Sequence, residues 1–169
     1  IYAAHTNLDS VHGGVNSKIC EKLGLKNCRI LNPVEGQLKK LVTFVPTADL
    51  DKVRNALFEA GAGHIGNYDS CGFTAKGTGS FRGNETTNPY VGERGKLHFE
   101  EETRFETIFP KYLQNRIISA LLKAHPYEEV AYDIYPLDNT NPQVGIGMVG
   151  ELEKAVDETD FLRSIKNIF

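Results

Sequence analysis

"LVTFVPTADLDKVRNALFEAG", residues 41–61, sets the architecture of the chain. Residues 41–46 are rich in β-branched and aromatic side chains and predict a strand. Thr47 follows as a candidate N-cap, with acidic residues in the next turn that favour the positive end of a helix dipole. Apolar side chains then recur at helical spacing until Gly61, which predicts the end of the helix. The segment therefore predicts a strand followed at once by a helix.

Two more strands, a second helix and a last strand follow. Residues 67–83 alternate weakly and predict a strand interrupted by bulges, whereas residues 96–109 alternate clearly. Pro110 begins a helix, and residues 129–137 form the last strand. This order over residues 41–137 predicts a ferredoxin-like βαββαβ module, an antiparallel sheet with two helices on one face. The apolar residues expected on the buried face of the clearest strand are Leu97, Phe99, Phe105 and Phe109.

The flanking segments, residues 1–40 and 138–169, are too short to bury a core of their own. Residues 1–5 predict a buried strand, and a polar loop leads from there to a helix that begins at Val15 and ends at Gly24. We therefore expect an α/β domain that is incomplete in this chain and into which the 41–137 module is inserted. Because both ends lie on apolar patterns, we expect a piece of a longer protein.

Composition narrows the class of protein. The 169 residues carry a formal net charge of −3, with 40% hydrophobic and 24% charged side chains, which is typical of a globular protein. The weakly acidic balance gives no reason to expect nucleic-acid binding, and no apolar run approaches the roughly 18 residues of a membrane span. Three cysteines without CxxC spacing predict reduced thiols in a cytoplasmic protein.

The first polar loop contains the strongest candidates for metal ligands. His5 ends the first predicted strand, and Asp9 and His12 follow within the loop. Ligands of open α/β sheets gather at the carboxyl ends of strands, and these residue types bind Mn, Fe, Zn and Co. The alternative is a loop in which His5 and Asp9 only form local hydrogen bonds. A metal site needs three or four ligands, so spacing alone favours the second interpretation.

Two other motifs have structural explanations. Gly145, Gly147 and Gly150 match GxGxxG, but no strand precedes them and no amphipathic helix follows closely, so we interpret "GIGMVG" as a glycine-rich strand or turn. In "HPYEE", residues 125–129, neighbouring strand positions place Glu128 and Glu129 on opposite faces, which favours a helix-to-strand junction. The end of the preceding helix favours a cationic His125.

Two more motifs concern ligands and reactivity. "GTGSFRG", residues 77–83, is either a bulged strand or a loop whose N–H groups and Arg82 hold a phosphate. Cys71 has no nearby base in the sequence and is interpreted as structural. The acidic run of residues 100–102 predicts a solvated edge.

Four motifs together resemble the NIF-three-like family. They are "AAHTNLDSVHGGVN" (3–16), "GAGHIGNYDSCGFTAKGTGSFRG" (61–83), "NPYVGERG" (88–95) and "AHPYEEVAYDIYPL" (124–137). Bacterial members of this family often bear the name type 2 homologue of GTP cyclohydrolase I. The resemblance implies a homohexamer, two divalent metal ions per full-length subunit (Zn, Fe or Mn), and an inserted module similar to CutA and PII proteins.

The resemblance also assigns residues. Asp9 matches a metal-binding aspartate of the family, and His5 matches the histidine beside it, in a supporting position around the metal. His12 receives no role. The other histidine and glutamate ligands of the family have no counterpart in these residues, so we expect this chain alone to be inactive. Nothing in the sequence recognises a purine or a triphosphate, and the substrate is expected to be a small molecule of unknown identity.

Two functions are therefore expected. One is a metal-dependent hydrolase in which two ions activate a water molecule, with Asp9 as one ligand. The alternative is a regulatory or assembly module of PII-like type, in which residues 41–137 bind a small effector or gate the cavity of a hexamer.

Overall fold

The computed structural model describes residue 3 and residues 5–169 of the chain. Within them the fold is mixed α/β, with four α-helices and two antiparallel sheets. The elements in chain order are α1 (Val15–Lys22), β1 (Lys26–Pro33), β2 (Leu38–Pro46), α2 (Leu50–Glu59), β3 (Gly72–Phe81), β4 (His98–Pro110), α3 (Gln114–Ala124), β5 (Tyr132–Leu137), β6 (Gly145–Glu151) and α4 (Glu158–Ile168). They belong to two compact units, Leu38–Asp138 and the flanks Ile1–Gln37 with Asn139–Phe169.

The unit Leu38–Asp138 contains a four-stranded sheet in the order β3-β4-β2-β5. Strand β2 lies inside the sheet and pairs on both sides, so that Leu41 is opposite Thr107 on β4 and Ile134 on β5. The core contains side chains from the sheet and from both helices of the unit. Its largest fully buried members include Phe105, Phe109, Leu41, Leu57, Ile117 and Leu121.

Strand β4 follows the predicted alternation only in part. Thr103, Phe105, Thr107 and Phe109 are buried as expected, but Leu97 and Phe99 are 61% and 63% exposed. The pairing of β2 with β4 stops at Pro46 and Glu102, and beyond this point β4 pairs with β3 alone. The predicted buried face is therefore wrong for the first part of the strand, where the sheet is only two strands wide.

Strand β3 is regular, contrary to the predicted bulges. Its register with β4 runs without a shift from Gly72 opposite Thr107 to Phe81 opposite His98. Its glycines thus do not mark irregular backbone. One of them, Gly79, makes room for a side chain of the neighbouring strand.

Helix α2 begins after a 3₁₀ turn that was not predicted. Thr47 starts this turn, and its hydroxyl lies 3.1 Å from that of Thr103 and donates to the carbonyl of Glu101 at 3.3 Å. No side chain caps the helix, so the predicted capping role of Thr47 is wrong. The helix ends at Glu59, and Gly61 follows with a φ of +103°, close to the predicted end.

The other unit contains a two-stranded sheet formed by β1 and β6. Helix α1 occupies the predicted segment, and "GIGMVG" is part of β6, in agreement with its interpretation as a glycine-rich strand. Strand β1 was not predicted. The strand predicted over residues 1–5 includes residues 1, 2 and 4, which lie outside the described residues.

Candidate ligand-binding site

Three of the motifs singled out in the sequence meet at one pocket of about 280 Å³ in the unit Leu38–Asp138. The end of β3 and the two residues after it contribute residues 80–83, and the following loop contributes Thr87, Pro89 and Tyr90. The segment after α3 contributes Tyr127, Glu128, Glu129 and Ala131. Apolar rings and a few polar groups line it, as is typical of small-molecule sites. The pocket therefore joins segments that are far apart in the sequence.

A pair of polar side chains lies at this pocket. The hydroxyl of Tyr127 donates a hydrogen bond of 2.9 Å to Oε1 of Glu102, a residue that is only 9% exposed. A Cβ added at Gly79 would lie 2.2 Å from Oε2 of Glu102. Position 79 therefore needs glycine if the carboxylate is to lie where it does.

Glu102 was not recognised from the sequence, where it belonged to an acidic run interpreted as a solvated edge. The structure contradicts that interpretation for Glu102, because the residue is buried. The available signal was Gly77 and Gly79 on the neighbouring strand, since glycines there leave space for a side chain to lie across β3.

His125 holds Tyr127 in position. It is 6% exposed, and its Nδ1 accepts a hydrogen bond of 3.1 Å from the backbone N–H of Tyr127. Nδ1 is therefore unprotonated, and Nε2–H donates to the carbonyl of Phe44 at 2.9 Å. The rings of His125 and Tyr127 are 5.1 Å apart in an edge-to-face arrangement.

His125 is neutral, contrary to the cationic form expected at a helix end. Burial lowers the pKa of the imidazole, and this effect outweighs the hydrogen bond to Phe44 and the charges of Glu102 and Asp49. Tyr127 also keeps its proton, because burial, the hydrogen bond to Glu102 and nearby carboxylates raise the pKa of the phenol. The pair thus consists of a neutral donor and a carboxylate.

Aromatic rings surround Tyr127. The centroid of Phe81 lies 5.8 Å from that of Tyr127, and the centroid of Tyr90 lies 6.2 Å away. These spacings are typical of favourable aromatic pairs. Three rings from three segments therefore form the apolar part of the pocket.

Glu128 and Glu129 were predicted to occupy neighbouring positions of a strand, but neither of them lies in one. Residues 126–129 form a bend, β5 begins only at Tyr132, and both glutamates line the pocket. Oε1 of Glu128 accepts a hydrogen bond of 2.8 Å from the backbone N–H of Asn88. The prediction that their side chains lie on opposite faces of a strand is therefore wrong, because it requires extended backbone.

The backbone of residues 77–83 does not support the alternative in which this segment binds a phosphate. Residues 77–81 belong to the regular part of β3, so they do not form a phosphate-binding loop. Arg82 follows the strand, is exposed and lines the pocket. The segment thus contributes side chains to a pocket.

The residues proposed as metal ligands lie in the other unit. Asp9 ends a 3₁₀ turn, and its carbonyl accepts a hydrogen bond of 2.7 Å from Nδ2 of Asn16. His5 and His12 are exposed, and the N–H of His12 donates to the carbonyl of Gln143 at 2.9 Å. Among residue 3 and residues 5–169, no three His, Cys, Asp or Glu side chains form a group that could hold a metal ion. The described donors alone do not fit a metal centre.

The cysteines are free thiols. Cys20 is buried, and Cys71 is partly exposed with its Sγ 3.5 Å from the carbonyl of Asp69. In the part of the chain that the structure describes, no helix is both long enough and apolar enough to cross a membrane.

The chain is similar to several known proteins along its whole length. Proteins named "GTP cyclohydrolase 1 type 2 homolog" from Halalkalibacterium halodurans and Bacillus subtilis are 48% and 45% identical to it over 100% and 99% of this chain. The matched parts are 46% and 45% of those two proteins, so the chain spans about half the length of these relatives.

Solved structures are also similar to this chain along nearly its whole length. The crystal structure of a Bacillus cereus protein related to NIF3 superposes with a TM-score of 0.83 at 46% identity, covering 99% of this chain and 44% of that one. A Staphylococcus aureus protein superposes with a TM-score of 0.54 at 26% identity over 97% of this chain and 41% of that one. A sequence profile of the Duf34/NIF3 (NGG1p interacting factor 3) family matches residues 1–169, and the chain therefore belongs to this family.

Proposed function

We propose that the unit Leu38–Asp138 is a ferredoxin-like, CutA/PII-like module inserted into the α/β domain, and that it binds a small effector molecule for the larger protein. The order strand–helix–strand–strand–helix–strand and the antiparallel sheet β3-β4-β2-β5 support the fold assignment. From the sequence, the inserted module is predicted over residues 41–137.

The pocket beside Tyr127 is the observation that carries this proposal. It is preformed, because hydrogen bonds hold its walls in place. His125 forms hydrogen bonds with the carbonyl of Phe44 and the backbone N–H of Tyr127, and Glu128 accepts one from the backbone N–H of Asn88. A preformed pocket avoids the entropy cost of ordering its walls when a ligand binds. Apolar walls with a few fixed polar groups supply contact area and orientation together.

Ligand-observed NMR on the chain with nucleotides, amino acids and amines tests this function. We expect at least one compound to show saturation transfer, and Ser80→Phe to abolish it, because Ser80 lines the pocket. Thr74→Phe is the matched control, since Thr74 lies exposed on the same strand and lines neither this pocket nor the adjoining one. The proposal fails if no compound binds, or if binding is indifferent to the change at position 80.

A second proposal concerns the metal-binding activity expected of the family. We propose that Asp9 contributes one carboxylate to a centre of two divalent ions (Zn, Fe or Mn) in the full-length protein, with His5 in a supporting position. The remaining ligands come from outside this chain. The name of the relatives, which refers to a cyclohydrolase, and the exposed position of Asp9 at a fixed turn support this role. Such a centre would supply a bound water molecule that loses its proton more readily, as hydrolysis requires.

Elemental analysis of the full-length protein tests the role of Asp9. Asp9→Ala is expected to lower the bound metal, whereas Asp51→Ala, which changes an exposed carboxylate on α2, leaves it unchanged. An unaltered metal content in Asp9→Ala contradicts the proposal. For the full-length protein we also propose a homohexamer that is located in the cytoplasm. Light scattering measures the mass of the assembly and therefore tests the hexamer.

A further inference from the structure

We propose that the pocket beside Tyr127 selects an organic cation, a protonated amine or a planar guanidinium-type or amidinium-type group, over neutral and anionic molecules of the same shape. This inference rests on the proposed effector-binding function and names the ligand class. It follows from the charge of a buried carboxylate that lines the pocket, from the aromatic walls and from the charges of the other lining side chains.

The first step is the environment of Glu102. This carboxylate is 9% exposed, its Oε1 accepts from the neutral hydroxyl of Tyr127, and none of the ion pairs among the described residues includes it. A buried carboxylate without a cation is costly, and a ligand that brings a positive charge offsets this cost. Oε2 makes no hydrogen bond to another described side chain, and it lies beside Gly79, where a second pocket shares Glu102 and Tyr127 with this one.

The second step is the chemistry of the walls. Phe81, Tyr90 and Tyr127 place three aromatic rings around the same space. The faces of aromatic rings attract cations, and the attraction grows where water is excluded. Tyr127 stays protonated, so it remains a donor to Glu102 and adds no charge of its own.

The charged side chains that line the pocket also favour a cation. The lining side chains that carry charge are the carboxylates of Glu102, Glu128 and Glu129 and the guanidinium of Arg82. Arg82 is exposed, and no described ion pair joins it to any of the three carboxylates. The side chains that line this pocket therefore carry a net negative charge, which favours cations and disfavours anions, whereas Lys76 and Arg104 line the adjoining pocket that shares Glu102.

Three probes of equal shape and different charge separate the alternatives. Benzamidine carries a positive charge at neutral pH, benzamide is neutral and benzoate is negative, while all three combine one benzene ring with one planar group. Their affinities for the chain are measured by calorimetry and by saturation-transfer NMR. We expect benzamidine to bind at least about tenfold more tightly than benzamide, and benzoate to show no binding.

Two kinds of variant connect the preference to Glu102. Glu102→Gln removes the charge and is expected to make benzamidine and benzamide bind equally. Gly79→Ala displaces the carboxylate, because its Cβ would lie 2.2 Å from Oε2, and is expected to reduce the preference as well. Gly77→Ala is the control, since its Cβ meets nothing within 4 Å and is expected to leave the preference intact. Circular dichroism checks folding, and the glycine pair carries the test if Glu102→Gln does not fold.

The outcomes are distinct from those for effector binding itself. Equal or tighter binding of benzamide or benzoate overturns the charge selection while pocket binding stands. A preference for benzamidine that is undiminished in a folded Glu102→Gln or Gly79→Ala protein overturns the role of Glu102 and with it this inference. Absence of benzamidine binding also overturns it, and effector binding fails only if the broader compound set gives no pocket-dependent binding either.

Discussion

The hydroxyl of Tyr127, which follows helix α3, donates a 2.9 Å hydrogen bond to Oε1 of Glu102 on strand β4. The bond joins the segment that closes the pocket to the sheet that forms the core of its unit. Glu102 and Tyr127 line the pocket together, so a change at this contact alters both the stability of the unit and the wall of the pocket. A buried carboxylate depends strongly on its donors, because an unsatisfied one keeps the full desolvation penalty.

Tyr127→Phe removes this donor and keeps the ring. We expect the free energy of unfolding, measured by urea denaturation, to fall by about 1–3 kcal/mol. Tyr135→Phe is a matched control, because the Tyr135 hydroxyl is exposed and makes only a 3.5 Å contact with Asp133; we expect its effect to stay within about 0.5 kcal/mol. Equal effects of the two changes would contradict a special role for the contact with Glu102.

Gly79→Ala and Gly77→Ala test how closely the carboxylate lies on strand β3. Alanine at position 79 forces Glu102 away from Tyr127, and we expect a loss of about 1–2 kcal/mol in thermal or urea unfolding. Alanine at position 77 extends into open space, and we expect a change between zero and a stabilisation of about 1 kcal/mol. The loss from Gly79→Ala is expected to shrink in a Tyr127→Phe background, because both changes break the same contact; additive effects would argue against it.

The sequence was sufficient for elements whose pattern is local. Helices α2 and α3 and strands β2 and β4 follow from periodicity, because each has buried side chains at regular spacing that face one core, although β4 does so only in its second part. Strand β1 was missed because its residues, "KNCRILNP", mix polar and apolar types, and it is stabilised by pairing with β6 near the other end of the chain. Such long-range pairing leaves no local signature.

The site was predictable in pieces and not as a whole. The motifs around residues 77–83 and 125–129 were recognised as unusual, yet their convergence depends on the sheet order and on the bend at residues 126–129. Glu102 is buried only because a neighbouring strand carries glycine at position 79. Burial of this kind is a property of two strands together, and alternation within one strand does not reveal it.

Cys20 is expected to be the least reactive of the three thiols. Burial raises the pKa of the Cys20 thiol, and the neighbouring Cys28 thiol raises it further, so the reactive thiolate is scarce. Cys28 and Cys71 are partly exposed. Timed alkylation with iodoacetamide, followed by peptide mass spectrometry, is expected to modify Cys20 last in the native protein and at the rate of the others in urea. Early modification of Cys20 in the native protein would contradict its burial.

His125 is expected to make stability depend on pH. Burial lowers the pKa of His125 in the folded state below the value of 6.5 for a free imidazole, so below about pH 6.5 the unfolded chain binds a proton that the folded chain does not. Stability therefore rises with pH through this range and is lost as the pH falls below it. The groups facing the ring are Tyr127, Glu102 and Asp49, and the two carboxylates oppose the shift of the pKa without cancelling it.

Urea unfolding at pH 5.5 and 7.5 measures the difference in stability between the two pH values. His125→Gln, which keeps a donor for the carbonyl of Phe44, is expected to reduce the difference between the two pH values, whereas His64→Gln at an exposed position leaves it unchanged. If His125→Gln retains the full pH dependence of the parent chain, another group is responsible for the loss of stability at low pH.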